Sequence, residues 1–287
     1  MADPVKNERR WKEIITPANS IWTLPLKEIW NYRDLLVIWM QRDIYSIYKQ
    51  TILGPIWFIL QPVLTTAVYF IIFSRLGNFS TIGLPPFLFY FSGIILWSYF
   101  AESLTKTSTF FKDNSQIISK VYFPKLIIPL SLVLTNLVKF GIQFILFLLL
   151  YFYFLWADTS IHANLYLFLF PVLILMVAAL GLGMGMIISS LTTRYKDLIH
   201  LVGFGVQLLM FISPVFFPVS TMSNSSYKLF ILANPMTGII EAFRYGFTGK
   251  GYFSWELLGY DAACVIFFLI LSVLIFNSIE KDAIDTI

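Results

Sequence analysis

Residues 42–62 read RDIYSIYKQTILGPIWFILQP, and the fold turns on how this stretch is divided. Up to Lys49, charged and apolar side chains alternate at helical spacing. After Pro55 no charge occurs until Arg75. An uncharged run over 56–73 covers most of ~30 Å of hydrocarbon at ~1.5 Å per helical residue. Leu53-Gly54-Pro55 is the corner between the two. Glycine permits a sharp turn, and proline suits a first helical turn, where its missing donor has no partner to lose. The chain before the corner therefore reads as lying on a membrane, and the chain after it as lying inside one.

The composition agrees. Of 287 residues, 58% are hydrophobic and 13% charged, against roughly half and a quarter in soluble domains. Mean hydropathy is +0.76. These values indicate an all-α polytopic membrane protein. The formal charge of +4 is small, and basic loops facing a cytoplasm explain it better than a nucleic-acid surface. Cys264 is the single cysteine, and His162 and His200 stand far apart, so no disulfide framework or Cys/His metal motif is expected. The first fifty residues lack the pattern of a cleavable signal, which leaves the first span as the insertion signal.

Residues 1–53 form a polar tail and an amphipathic helix starting near Thr23-Leu24-Pro25. Leu26, Ile29, Trp30, Val37, Met40, Ile44, Ile47 and Tyr48 recur at helical spacing, with Lys27, Glu28, Asp34, Arg42 and Lys49 between them. Such a helix suits the headgroup interface; packing on a partner protein is the alternative. Residues 54–287 form a transmembrane domain with six expected spans: 56–73, 87–101, within 126–156, within 165–191, 198–217 and 257–276. Fifteen Lys and Arg fall on the side of the termini and four on the other, which makes both termini cytoplasmic by the positive-inside rule.

Three interruptions carry information. Lys139 divides a long apolar run; it either snorkels to the cytoplasmic interface or faces a pathway as a buried cation. Residues 218–256 are too long for a turn and hold Asn234-Pro235, read as a cap and a first helical residue, followed by MTGIIEAFRYGF. Glu241 and Arg244 are spaced to pair on one helical face, so this segment is a candidate extracellular gate or a packed surface helix. Gly181, Gly183 and Gly185, and likewise Gly203 and Gly205, fit close helix approach.

On the cytoplasmic side, Asn114-Ser115 begins QIISKVYF and Pro124 ends it. A two-turn helix is expected, with Ile117, Ile118 and Val121 on one side and Lys120 beside them. It is too short to stand alone, so it either docks on a partner or is a tight connection. No GxxxxGK[ST] loop, Ser/His/Asp set or paired carboxylate deep in the spans is present. Covalent catalysis is not expected, and uphill transport would need energy from a partner.

The succession YKQTILGPIWFILQP, IISKVYFPKLIIPL, RYKDLIHLVGF with ISPVFFP, and LANPMTGIIEAFR resembles the permease subunits of polysaccharide ABC exporters. The O-antigen permeases are the nearest in pattern; teichoic-acid and capsule permeases are relatives. The resemblance implies a homodimer with two copies of a separate ATPase that binds the ATP and magnesium, this chain holding no cofactor. It implies a coupling helix at about 114–124, with Ile117, Ile118, Lys120, Val121, Tyr122, Phe123 and Pro124 meeting the ATPase. It further implies gating helices carrying Asn234, Pro235, Glu241 and Arg244, a lipid-linked polysaccharide as substrate, and a bacterial inner membrane. Lys139 departs from the family pattern, where an acidic residue is common. A membrane-embedded enzyme of glycan assembly is the rival class.

Two further sets are expected to meet the substrate. Aromatic residues are 18% of the chain, and Trp57, Tyr69, Phe73, Phe204, Phe211 and Phe217 on the first and fifth spans are candidates to line a glycan channel, because flat rings contact sugar C–H faces. The corner at Leu53, Gly54 and Pro55 is a helix N-terminus at the inner leaflet, with Arg42 and Lys49 on the preceding turns. Helix N-termini bind phosphates, so it is either the entrance for an undecaprenyl pyrophosphate or a plain interfacial corner.

Overall fold

Apolar runs become helices because hydrocarbon offers backbone groups no other partners. The computed structural model describes residues 26–49, 52, 54–118, 120–121, 123–157, 161–195, 197–222 and 226–286, and among them every regular element is helical. A surface pair, α1 (Leu26–Asn31) and α2 (Arg33–Tyr48), precedes the corner. The first span starts as a 3-10 turn at Gly54–Ile56, continues as α3 (Trp57–Tyr69) and ends as a π-helix, Phe70–Leu76. Then come α4 (Pro86–Ser108), the short α5 (Phe110–Asp113) and α6 (Ser115–Ile118), α7 (Ile127–Ala157) and α8 (Phe170–Arg194). The chain closes with α9 (Leu198–Phe211), α10 (Ser226–Leu232), α11 (Thr237–Thr248) and α12 (Trp255–Thr286).

Among the described residues, five helical segments are long and apolar enough to cross a membrane. The expected fifth span departs from the reading over 198–217. Its helix stops at Phe211, and its 14 residues cover only ~21 Å. Pro214 lacks a donor and disfavours helical backbone at Ser213, so the chain turns there, with the Ser213 N–H and hydroxyl both donating to the Met210 carbonyl.

The central helix is α4, buried along most of its length and packed on α8, α7, α3 and α9. Glycine spacing on α8 permits its closest contact. A Cβ at Gly181 would stand 2.9 Å from Ser103 Cβ, and one at Gly185 2.6 Å from Thr107 Cβ, while Gly183 faces the Phe268 backbone of α12 at 3.1 Å. Gly203 and Gly205 differ from that expectation, since nothing lies within 4 Å of either Cβ position. On α3, Pro62 cannot donate to the Phe58 carbonyl one turn back. Gln143 of α7 donates to it instead, at 3.2 Å, so a side chain from another span replaces the lost backbone bond.

One end of the bundle gathers a separate core. Trp39 of α2, Phe110 and Phe111 of α5, Phe123, Ile127, Met186 of α8 and Phe276 of α12 are buried together. This tail end therefore holds the surface helix and the 114–124 connection, and the far end holds α11 and the start of α12.

Candidate functional site

Near the far end, three of the six candidate channel aromatics meet. Tyr69, Phe73 and Phe211 surround Phe216, with ring centroids 4.8, 4.6 and 5.4 Å from it. Phe216 is 2% exposed and is the residue the sequence reading passed over; the turn at Pro214 points it back onto α3. Phe217 is half-buried against the main core. Trp57 and Phe204 are exposed and stand apart from this group.

Behind the cluster lies a buried polar node. Glu241 and Arg244 of α11 are 0% and 1% exposed and 3.6 Å apart. Arg244 donates to the carbonyls of Phe89, Pro214 and Val215 and to the Ser92 hydroxyl, and its guanidinium lies 3.7 Å over the Phe89 ring. The Glu241 carboxylate accepts from the N–H groups of Val219 and Tyr252. Burial pushes this carboxyl above the ordinary carboxylate range, against the pull of Arg244 and the two N–H groups. The expected pairing at spacing three is thus real, and its surroundings are richer than spacing can tell. The guanidinium satisfies the carbonyls freed where α9 ends, as irregular backbone inside protein requires.

Asn234-Pro235 does not open the following helix. Helix α11 begins at Thr237, and the Asn234 side chain accepts from the Met236 N–H two residues on while donating to the Leu209 carbonyl. The cap comes from elsewhere: Asp261 of α12, 0% exposed, accepts from the Ile239 N–H at 3.1 Å. In sequence Asp261 reads as an ordinary charge near a span end.

Lys139 does not stand alone. Its Nζ is 2.7 Å from Glu102 Oε2, and the side chain is 13% exposed. Helix α4 runs past the expected end of the second span at 101, so that Glu102 and Lys106 lie within it. Ser98, Tyr99, Asn136 and Gln143 complete the polar lining around the pair.

At the tail end the 114–124 helix is shorter than expected. Among the described residues of this segment only Ser115–Ile118 is helical, and Asn114 closes α5 as well as receiving the N–H groups of Ile117 and Ile118. The apolar residues divide instead of sharing one side. Ile117 and Val121 are exposed, Ile118 packs on the tail-end core and Phe123 is buried in it, 6.4 Å from the Trp39 ring. Lys120 is exposed, Pro124 is half-buried, and Tyr122 lies outside the described residues.

At the corner Gly54 has φ +50°, a backbone favouring glycine, with nothing within 4 Å of a Cβ there. Pro55 is exposed and Leu53 lies outside the described residues. Arg42 is engaged by Asp43 at 2.8 Å and by the Trp39 ring at 3.7 Å. Lys49 is exposed, its Nζ 5.4 Å from the Tyr45 ring. Among the described residues no three His, Cys, Asp or Glu side chains converge as metal ligands.

With this arrangement in place, the comparison with protein families is decisive. The model of the ABC-2 type transporters matches residues 34–248. The chain belongs to that family. Similar proteins include an O-antigen export system permease protein RfbA of Myxococcus xanthus, 28% identical over 220 residues, covering 76% of this chain and 82% of that one. Two from Klebsiella pneumoniae with the same description are 27% and 26% identical, each covering 86% of this chain and 92% of theirs. In this ABC-2 permease the matched region contains α2, the tail-end connection, the Phe216 cluster and α11. It ends at Thr248, so Asp261 stands beyond it.

Proposed function

We propose that the chain is the transmembrane subunit of an exporter that carries an undecaprenyl-pyrophosphate-linked polysaccharide, an O-antigen, out through the bacterial inner membrane. The observation that carries this reading is the similarity to O-antigen permeases over 92% of the length of two of them. Two copies of the chain would form the path, and two copies of a separate ATPase, binding ATP and magnesium, would drive it. Both termini are cytoplasmic in this reading, and six passes result if α9 and its turn count as one crossing.

The geometry suits these roles. The exposed Ile117, Lys120 and Val121 offer a small mixed surface to the ATPase, backed by the tail-end core. The corner at Gly54, with Lys49 before it, receives the pyrophosphate at the inner leaflet. The rings around Phe216 give the glycan flat, weakly adhesive contacts. The 218–256 segment forms the outer gate, anchored by Glu241, Arg244 and Asp261.

The test is co-expression with an ATPase subunit of an O-antigen exporter, purification, and display of polysaccharide in a strain lacking its own exporter. Co-purification and restored O-antigen display support the reading, and replacing Tyr69, Phe73 and Phe211 together by alanine should lower display while the ATPase stays bound. Restored teichoic-acid or capsule export in place of O-antigen would move the assignment to those permeases. Turnover of a lipid-linked sugar by the isolated chain would replace it with an enzyme.

A further inference from the structure

The far end of the first span is wound as a π-helix over Phe70–Leu76, a winding that is rare and found frequently at functional sites. Asn78 follows with φ +50°, where residues other than glycine are uncommon. These irregularities border a cleft of about 550 Å³ that none of the six candidate channel aromatics lines. It lies on the π-helix, α4 and α7, and Phe216 is not part of its lining.

Phe70, Phe87 and Phe154, from three different spans, supply its apolar walls, and Ser74, Arg75 and Asn78 its polar edge. Arg75 makes no ion pair among the described residues and is exposed, its guanidinium 5.4 Å from the Phe70 ring. The hydrogen-bonding balance favours donors: Arg has five N–H groups and no acceptor, and no carboxylate lines the cleft to receive sugar hydroxyls. An acceptor-rich anion fits this edge, and arginine holds phosphate in two-pronged fashion. The depth is equally informative. The last turns of the first span, the first turn of α4 and the last of α7 are where a bilayer changes from hydrocarbon to headgroups. Exposed Ile71, Ile72, Phe152 and Tyr153 flank it with apolar surface.

We propose that this cleft binds an anionic phospholipid, Arg75 with Ser74 and Asn78 holding the headgroup phosphate and the three phenylalanines the start of an acyl chain. The proposal does not depend on which polysaccharide is exported. The test is native mass spectrometry of the full-length chain, titrated with phosphatidylglycerol or phosphatidylcholine, with inorganic phosphate as competitor. Phosphatidylglycerol should be retained at about tenfold lower concentration than phosphatidylcholine, and Arg75→Gln should cancel about that factor. Phe154→Ala should weaken retention too, while millimolar phosphate leaves it unchanged. Equal retention of the two lipids, or no loss in Arg75→Gln, overturns the proposal. Displacement by inorganic phosphate, with Phe154→Ala indifferent, overturns the lipid in favour of a free anion.

Discussion

Replacing Arg244 by methionine removes the cation of the far-end node while keeping much of its length. Glu241 then loses its partner 3.6 Å away, and the Pro214 and Val215 carbonyls and the Ser92 hydroxyl lose a donor, while the Phe89 carbonyl keeps the Ser92 hydroxyl. Breaking a buried ion pair from one side costs ~3–5 kcal/mol, and each orphaned acceptor costs ~1–3 kcal/mol. These terms share one site and do not add, and protonation of Glu241 relieves part of the cost. About 4 kcal/mol results, a large share of the ~5–15 kcal/mol that holds folded domains. At ~2–4 °C per kcal/mol for a chain of this size, the apparent melting temperature should fall by roughly 10 °C, read by size-exclusion chromatography of heated samples in one detergent. Adding Glu241→Gln removes the stranded charge, so the double variant should be milder than the sum of the singles by ~1 kcal/mol or more. A fall under about 2 °C, or strict additivity, refutes the claim that Arg244 holds this region together through the pair and the freed carbonyls.

Gly185→Leu should part α4 from α8 and cost at least ~1–3 kcal/mol, whereas Gly203→Leu, with open space around it, should leave stability within ~0.5 kcal/mol of unchanged; thermal stability in detergent compares them. Gln143→Leu should cost ~1–2 kcal/mol by removing the amide that donates to the Phe58 carbonyl, visible as faster amide exchange around Pro62. Asp261→Ala should cost ~1–2 kcal/mol through the lost cap on α11, with proteolytic nicking confined to the far end. Lys139→Glu should lower stability by ~1–2 kcal/mol, and adding Glu102→Lys should restore most of it; failure of the swap to rescue would separate the two residues.

The long helices were legible because a bilayer leaves apolar runs one solution, and the Gly181/Gly185 contact was legible because only small residues allow it. The end of α9 was misjudged although Ser213-Pro214 carried the signal: hydropathy runs smoothly to Phe217 while the backbone does not. Glu241 and Arg244 showed their mutual spacing, but Phe89 and Ser92 are over 150 positions from Arg244, and no periodicity reaches that far. Phe216 stood beside Phe217 with nothing to rank them, since the turn at Pro214 decides which ring faces α3. Lys139 was weighed without a partner because the second span was ended at Ala101; α4 extends to Ser108 and carries the Glu102 carboxylate within reach.

The aromatic contacts at the tail end give the short connection a mechanical property its own residues lack. Four residues of helix have no stiffness of their own. Phe110 and Phe111 lie 4.1 Å apart and 6.1 and 5.5 Å from Phe276, and Phe123 abuts Trp39. A push delivered at Ile117 or Val121 is therefore borne by α2 and the end of α12 as one stiff body.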